Sequence, residues 1–287
     1  MTLLVQRCPK DSSVVSINYV FNVLHAIEDQ ICGKAGATFA SINKKEIEEI
    51  RIPLPPIEVQ HQIVAEIEGY QKIIDGARQV LDNYKPHISI DAEWPIVELA
   101  DIAEFKNGLN YDADAEGSKI KIFGVSHFKD CLIAPLTGLP EIQVDEVVDE
   151  SYLLAEGDIL FVRSNGNPAL VGRSVLIPEI DDRITFSGFT IRCRFTAKVE
   201  PYFYACLFKS TLHRELFRDA GQGASIRNLS QGMLKQIKVP FPDLATQRSI
   251  VTEIEAEQAL VAANRELIDR MQAKVKAAID RVWGSTS

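Results

Sequence analysis

The densest group of side chains able to do chemistry lies in RSNGNPALVGR, residues 163–173. Arg163, Ser164, Asn165, Asn167 and Arg173 are of the types that hydrogen-bond to phosphate oxygens and to the edges of guanine and adenine. The glycines among them let a backbone turn tightly beside a duplex. The same residue types also build ordinary β-hairpin loops, so this composition supports a nucleic-acid contact and a plain connection alike. A second group, GQGASIRNLS at 221–230, offers Ser225, Arg227 and Asn228 just after a glycine-rich turn. A third, in FKNGLNYD, offers Lys106, Asn107, Asn110 and Tyr111, and His127 with Lys129 makes a fourth. Arg192 and Arg194 flank Cys193 on a strand-like run and share a face by period two. They are placed to meet either phosphates or the acidic residues of 145–158.

Other chemistries are excluded by pattern. The GQGAS glycines do not open a helix after a parallel strand, so they are not a dinucleotide-binding fingerprint. There is no Walker loop, no HExxH and no GxSxG. Five scattered cysteines (Cys8, Cys32, Cys131, Cys193, Cys206) show no metal-ligand spacing and read as reduced thiols of a cytosolic protein. No catalytic residue, metal site or cofactor of its own is expected in the chain.

The candidate loops hang between two copies of one motif. IRIPLPPIEVQHQIVAEIE from residue 50 returns as IKVPFPDLATQRSIVTEIE from residue 237. The offset of 187 holds without a gap from Gly36/Gly223 to Glu68/Glu255, with 11 of 33 positions identical, Pro53/Pro240, Pro55/Pro242 and Gln60/Gln247 among them. Amphipathic helices resemble one another in apolar spacing, but not in two prolines, a glutamine and a fixed offset. This is an internal duplication. In each copy a β-branched run ends in Pro-x-Pro, a stiff extended entry, and a long helical pattern follows.

Those patterns keep a 4-3 apolar spacing. The first runs through Ile63, Ile67, Tyr70, Ile74 and Leu81, the second through Ile250, Ile254, Glu257, Val261, Asn264 and Ile268. Such spacing holds one seam on one side of each helix and predicts an antiparallel coiled-coil arm of about 42 and 58 Å helices. The Ile74–Leu81 end of the first is expected near Ile250–Val261 of the second. Glu257 and Asn264 are polar members of the seam, of the kind that specify a partner or register. A second apolar row (Val64, Ile73, Val80; Val251, Leu260, Leu267) implies a further packing partner.

Between the helices, from Trp94 to about Lys198, short runs such as KIKIFGV, DILFVRS and FTIRCRFT are broken by Gly, Asn and Asp. They predict a mixed, mainly β domain with a helix at 201–219. The chain thus divides into 1–49, the tail of an incomplete first domain, 50–85, the first entry and helix, 86–236, a complete domain, and 237–287, the second entry and helix. The fold class is α/β (α+β). Hydrophobic content of 46% is ordinary for a chain with a real core. No apolar run approaches the ~20 residues of a membrane span. Net charge is −9, yet residues 95–159 carry 4 basic and 14 acidic side chains while 160–242 carry 12 basic and 6 acidic ones, so one face is expected to be basic.

The duplicated motif and the segments WPIVELADIAEFKNG, LLAEGDILFVRSNGN, GRSVLIPE and GQGASIRNLS resemble the specificity subunits of type I restriction–modification enzymes. The resemblance covers nearly the whole chain and implies a non-catalytic DNA-recognition subunit. Its target-recognition domain would read a half-site of double-stranded DNA. Its helices would dock methyltransferase subunits that bring S-adenosylmethionine, and the restriction subunit would join through that complex. Asn167-Pro168-Ala169 is not the Asn/Asp-Pro-Pro-aromatic motif of the methyltransferase itself. Family members carry two recognition domains, whereas this sequence shows one, so it resembles a truncated or half-length form that pairs as a homodimer. The alternative is an assembly protein that occupies the methyltransferase or itself without productive DNA reading. The Arg163–Arg173 loop is expected to read bases and Arg227 to contact phosphate.

Overall fold

The short apolar runs become strands and the two periodic stretches become long helices. The computed structural model describes residues 13–26, 47, 50–112, 114–129, 131–210 and 228–283. It divides into two compact units, Met1–Tyr84 with Gln258–Ser287, and Lys85–Glu257. Its described elements are helices α1 (Ile17–Ala26) and α2 (Ile57–Asn83), strand β1 (Ile96–Glu98), helix α3 (Leu99–Ile102), and strands β2 (Ala103–Asn107), β3 (Ser118–Phe123), β4 (Glu141–Val144), β5 (Ile159–Val162), β6 (Ser174–Leu176), β7 (Ile184–Phe186) and β8 (Thr190–Phe195). Helices α4 (Pro201–Lys209) and α5 (Gln231–Lys235), strand β9 (Lys238–Pro240) and helix α6 (Leu244–Trp283) follow. This is the expected α+β class. No described helix is long and apolar enough to cross a membrane.

In the Lys85–Glu257 unit, β2-β8-β5-β6 form an antiparallel sheet and β4-β3-β7 a smaller mixed one in which β3 and β7 run parallel. All four residues of β5 are buried, and successive side chains point to opposite faces. Ile159 and Phe161 therefore enter one core with Phe203, Tyr204, Leu207 and Phe208 of α4. Leu160 and Val162 enter another with Phe123, Ile184 and Phe186 of the smaller sheet. The larger sheet is thus covered on both faces, which is why β5 reads as a continuous apolar run. Strand β9, from the second Pro-x-Pro entry, pairs with β1.

Each entry is closed by its glutamine. Gln247 is 1% exposed; its carboxamide nitrogen, Nε2, donates to Pro242 O at 2.8 Å and its Oε1 accepts from Glu200 N at 2.8 Å. Gln60, 0% exposed, donates from Nε2 to Pro55 O at 2.7 Å and Val14 O at 2.9 Å and accepts from Ser16 N at 2.9 Å. Two buried tyrosines complete the correspondence: Tyr19 Oη donates to Pro53 O at 2.9 Å and Tyr204 Oη to Pro240 O at 3.1 Å. The lead-in helix, the Pro-x-Pro turn and the long helix are joined in the same way at both places.

In the other unit α2 and α6 pack together, antiparallel as expected. Arg281 Nη2 pairs with Glu66, and Lys274 Nζ lies 5.6 Å from the Tyr70 ring centroid. Ile63, Val64 and Ile67 share a core with Ala278, Ile279 and Val282, and with Tyr19 and Val23 of α1. Burial follows the 4-3 spacing on α2 (Ile63, Ile67, Ile74 and Ala77 buried, Tyr70 and Leu81 half-buried) and on α6 from Val261 through Asn264, Ile268, Met271, Val275 and Ala278 to Val282. The Arg281 and Lys274 contacts fix a register that carries Ile74 toward Met271. The expected pairing of 74–81 with 250–261 is therefore corrected. Ile250 and Ile254 pack instead into the core of the Lys85–Glu257 unit, beside Val251 and α4. Glu257 is exposed, and Asn264 turns its Nδ2 back to Leu260 O at 2.9 Å on its own helix, so it satisfies itself.

Two outcomes are expected. Ile74 is 2% exposed, and Ile74→Asp places a charge in that seam; unfolding free energy from urea denaturation should fall by about 3 kcal/mol or more. Gln247→Leu leaves Pro242 O and Glu200 N without their buried partner and should cost about 2 kcal/mol or more. A variant as stable as the wild type would show that the carboxamide is dispensable.

Candidate nucleic-acid interface

The Arg163–Arg173 loop joins β5 to β6 and is tied at its base by Val162 N to Arg173 O at 2.8 Å and Gly172 N to Val162 O at 2.9 Å. Gly172 takes φ +80°, a conformation that favours glycine. Its asparagines fold the loop. Asn165 Oδ1 accepts from Asn167 N at 2.8 Å, and Asn167 Oδ1 accepts from Ala169 N at 3.0 Å, capping the 3-10 turn Pro168–Leu170. Bidentate reading of adenine uses both the oxygen and the nitrogen of an asparagine. Here each oxygen already has one backbone donor. Arg163 is half-buried and reaches Gly188 O at 3.3 Å through Nη1. Arg173 is half-exposed, with no side-chain partner among the described residues.

The first two candidate groups meet. Ser164 and Asn228 form an antiparallel bridge, and Leu229 N donates to Arg163 O at 2.9 Å. Asn228 is exposed on that rim. Ser225 and Arg227 lie outside the described residues.

The third group splits. Lys106 of β2 is spent internally: its Nζ bonds Ser151 Oγ and sits 3.9 Å from the Tyr152 ring centroid. Asn107 is a half-buried strand residue opposite Ile191. Asn110 and Tyr111 are exposed, but Tyr111 lines a concavity with Asp112, Asp145, Glu146 and Asp149, a wall that repels phosphate. Asn110 lines the same concavity and also abuts the 187–190 turn, where a Cβ on Gly188 would lie 2.0 Å from its Oδ1. His127 is half-buried against Phe123, centroids 5.5 Å apart, which is a packing role.

The two strand arginines resolve toward the acidic segment. Arg194 holds Asp158 through Nε and Nη2, both at 2.7 Å, and that hydrogen bonding raises its pKa above the ordinary arginine value. Asp158 is 1% exposed and also accepts from Ala155 N at 2.8 Å. Arg192, 2% exposed, donates to Ser151 O at 2.8 Å and Leu153 O at 3.2 Å and pairs with Glu104 at 3.5 Å. Burial lowers its pKa. Arg183 pairs with Glu150. Three of the cations behind the expected basic face are therefore engaged with this domain's own carboxylates. Among the described cysteines, burial raises the Cys206 thiol to about 12 and Cys193 further still, so neither is a nucleophile at neutral pH.

One residue at this rim escaped the sequence reading. Phe189 reads as the first residue of a strand, but it lies in the turn before β8 and is 63% exposed. The Ser187-Gly188 pair ahead of it was the available signal for a turn.

A family model, the type I restriction modification DNA specificity domain, matches residues 9–82 and 91–271. The chain belongs to this family. Among curated members, the StySPI specificity subunit of Salmonella potsdam is 25% identical over 125 residues, covering 44% of this chain and 27% of that subunit. The MjaVIII specificity subunit of Methanocaldococcus jannaschii is 22% identical over 284 residues, covering 84% of this chain and 63% of that one. The matches thus span less than two thirds of either relative. The HsdS subunit from Thermoanaerobacter tengcongensis has the same fold, with a TM-score of 0.54 at 18% identity over 94% of this chain and 70% of that one. In this specificity domain the 163–173 loop joins two strands of the doubly covered sheet, and Asn228 bridges to it.

The arginines inside that sheet support the fold. Asp158→Ala leaves Arg194 without its carboxylate in a mostly covered site and should cost about 3–5 kcal/mol in urea denaturation. Arg194→Ala/Asp158→Ala should cost less than the two single changes added together.

Proposed function

We propose that this chain is a DNA-recognition component of a type I restriction–modification complex and reads a half-site of double-stranded DNA. The role is recognition rather than catalysis. The observation that carries the reading is the Ser164–Asn228 bridge, which brings Asn228 onto one rim with the donor-rich 163–173 loop. Arg173 and the asparagine Nδ2 groups supply donors for base edges, and Arg227 supplies a phosphate contact. Methylation chemistry belongs to a methyltransferase partner carrying S-adenosylmethionine, and cleavage to a restriction subunit joined through the same complex.

The helix pair supplies the docking surface. Ile73 and Val80 follow Glu66 at intervals of seven along α2, and Leu267 and Leu260 precede Arg281 at multiples of seven along α6. Seven residues are nearly two turns. All four therefore lie on the flank marked by the Glu66–Arg281 ion pair, and they are 43%, 43%, 36% and 69% exposed. An apolar row of this kind needs a partner, and we assign it to the methyltransferase. The same row favours the second reading, an assembly role in which it pairs with another copy through a twofold axis.

Binding to a duplex selected from a randomised pool, and to unrelated duplexes, tests the reading at several salt concentrations. Arg173→Ala should cost about 1–3 kcal/mol on the selected duplex and little on unrelated DNA. Arg227→Ala should weaken both alike and flatten the salt slope by about one unit. Wild-type discrimination by a variant with alanine at Arg163, Asn165, Asn167 and Arg173 would remove this loop from the recognition surface. For the arm, Ile73→Lys/Leu267→Lys should weaken methyltransferase association about tenfold or more without loss of helicity. If it instead only dissociates a homodimer seen by sedimentation, the assembly reading is the correct one.

A further inference from the structure

Phe189 sits at the tip of the turn between β7 and β8, and the backbone around it is committed on every side. Thr190 N and Oγ1 donate to Ser187 O at 2.8 and 2.7 Å, and Phe189 N donates to Ser187 Oγ at 3.3 Å. Gly188 N donates to Leu109 O at 2.8 Å, so the turn is fastened to the 109–110 segment. On its other side Phe189 O accepts from Arg163 N at 2.8 Å and Ser164 N at 3.3 Å, while Gly188 O accepts from Arg163 Nη1. The close approach of Asn110 to Gly188 leaves no room for a side chain at that position.

Single exposed apolar residues are common on protein surfaces, and exposure alone would carry nothing. Phe189 differs in being presented by a fixed backbone, bonded directly to the first two residues of the recognition loop. A phenyl ring has few rotatable bonds, so holding it against a ligand from such a platform costs little conformational entropy. The other exposed ring at this end, Tyr111, opens onto the carboxylates of Asp112, Asp145, Glu146 and Asp149; Phe189 is not part of that lining.

Resting on the DNA-recognition reading above, we propose that Phe189 is a specificity-determining base contact whose ring packs on the C5 methyl group of a thymine in the major groove. Apolar contact is how that methyl is read, because it offers no hydrogen bond. Insertion between base pairs is the other use of an apolar side chain on DNA, and it unstacks a base step at a cost in stacking energy. Contact with the methyl edge carries no such cost. Hydrogen-bonding side chains of the rim then read neighbouring positions, and Phe189 adds a position that none of them can distinguish.

The test enriches duplexes from a randomised pool with the full chain, assembled with its methyltransferase, and compares the wild type with Phe189→Ala and Phe189→Leu. The wild type should enrich a motif containing a thymine at which Phe189→Ala shows no preference, with the remaining positions kept and Phe189→Leu intermediate. Replacing that thymine with deoxyuridine, which removes only the methyl, should weaken wild-type binding about fourfold, the scale of one buried methyl group. It should leave Phe189→Ala unchanged. The deoxyuridine comparison alters the DNA alone, so it stands even if a variant folds poorly. Phe189→Ala enriching the wild-type motif with wild-type affinity overturns the inference. So does a wild type indifferent to deoxyuridine at every thymine, or one whose loss is accompanied by unstacking of the adjacent base step. A wild type that enriches no motif removes the recognition reading and this inference together, an outcome distinct from the others.

Discussion

A buried carboxamide at the start of each long helix is the interaction on which the rest of the structure depends. A Pro-x-Pro entry cannot donate backbone hydrogen bonds at its prolines, and it delivers the chain into a helix whose first amide groups lack partners within the helix. Gln247 and Gln60 each bond the carbonyl of the second proline, five residues back, and take the backbone N–H that opens the neighbouring short helix. Tyr204 and Tyr19 bond the carbonyl of the first proline. In both places one polar side chain and one phenol fix the angle between a short helix, a turn and a long helix. Apolar residues at these positions would leave several buried backbone groups unpaired. This accounts for the sequence identity of the two prolines and the glutamine across an interval of 187 residues, where the intervening surface positions drift.

The second constraint is the burial of β5 on both faces. With β5 covered on both sides, Arg192 and Arg194, adjacent to it on β8, are largely withdrawn from water and are held by partners of the same domain. They find Ser151 and Leu153 carbonyls, Glu104 and Asp158. The abundance of basic residues in 160–242 and of acidic ones in 95–159 is therefore partly two halves of one internal network, not two surfaces of opposite sign. Counting charge by segment misjudges a domain whose segments interleave.

That distinction also marks how far the sequence was legible. Helical spacing is local, and the apolar seam positions from Ile63 to Leu81 and from Val261 to Val282 are buried or half-buried as the periodicity requires. Ile250 and Ile254 keep the same spacing but face a different core, because a stripe says which side of a helix is buried and not against what. The Arg163–Arg173 loop was recognisable by composition. Its joining to Asn228, 64 residues further along the chain, depends on strand pairing that no local pattern encodes. Lys106 and Phe189 show the same limit: one cation bonds Ser151 and lies over Tyr152, and one apparent strand residue lies in a turn held by Ser187 and Gly188.

The rim proposed for DNA recognition combines two kinds of residue, and on that reading the difference bears on how its specificity can change. Asn165 and Asn167 accept backbone hydrogen bonds that shape the loop, so replacing either alters the conformation presenting all its neighbours as well as its own donor. Arg173 and Phe189 project from backbone that other residues hold, through Gly172 and the Val162 ladder in one case and through Leu109, Arg163 and Ser187 in the other. Substitution there changes the exposed side chain while leaving the frame in place. On the proposed reading, a new preference arises at Arg173 or Phe189 by a single exchange, whereas one at Asn165 or Asn167 requires a second residue that restores the turn. The frame's own stability comes from the covered sheet beneath it, so it tolerates variation at the rim without a compensating change in the core.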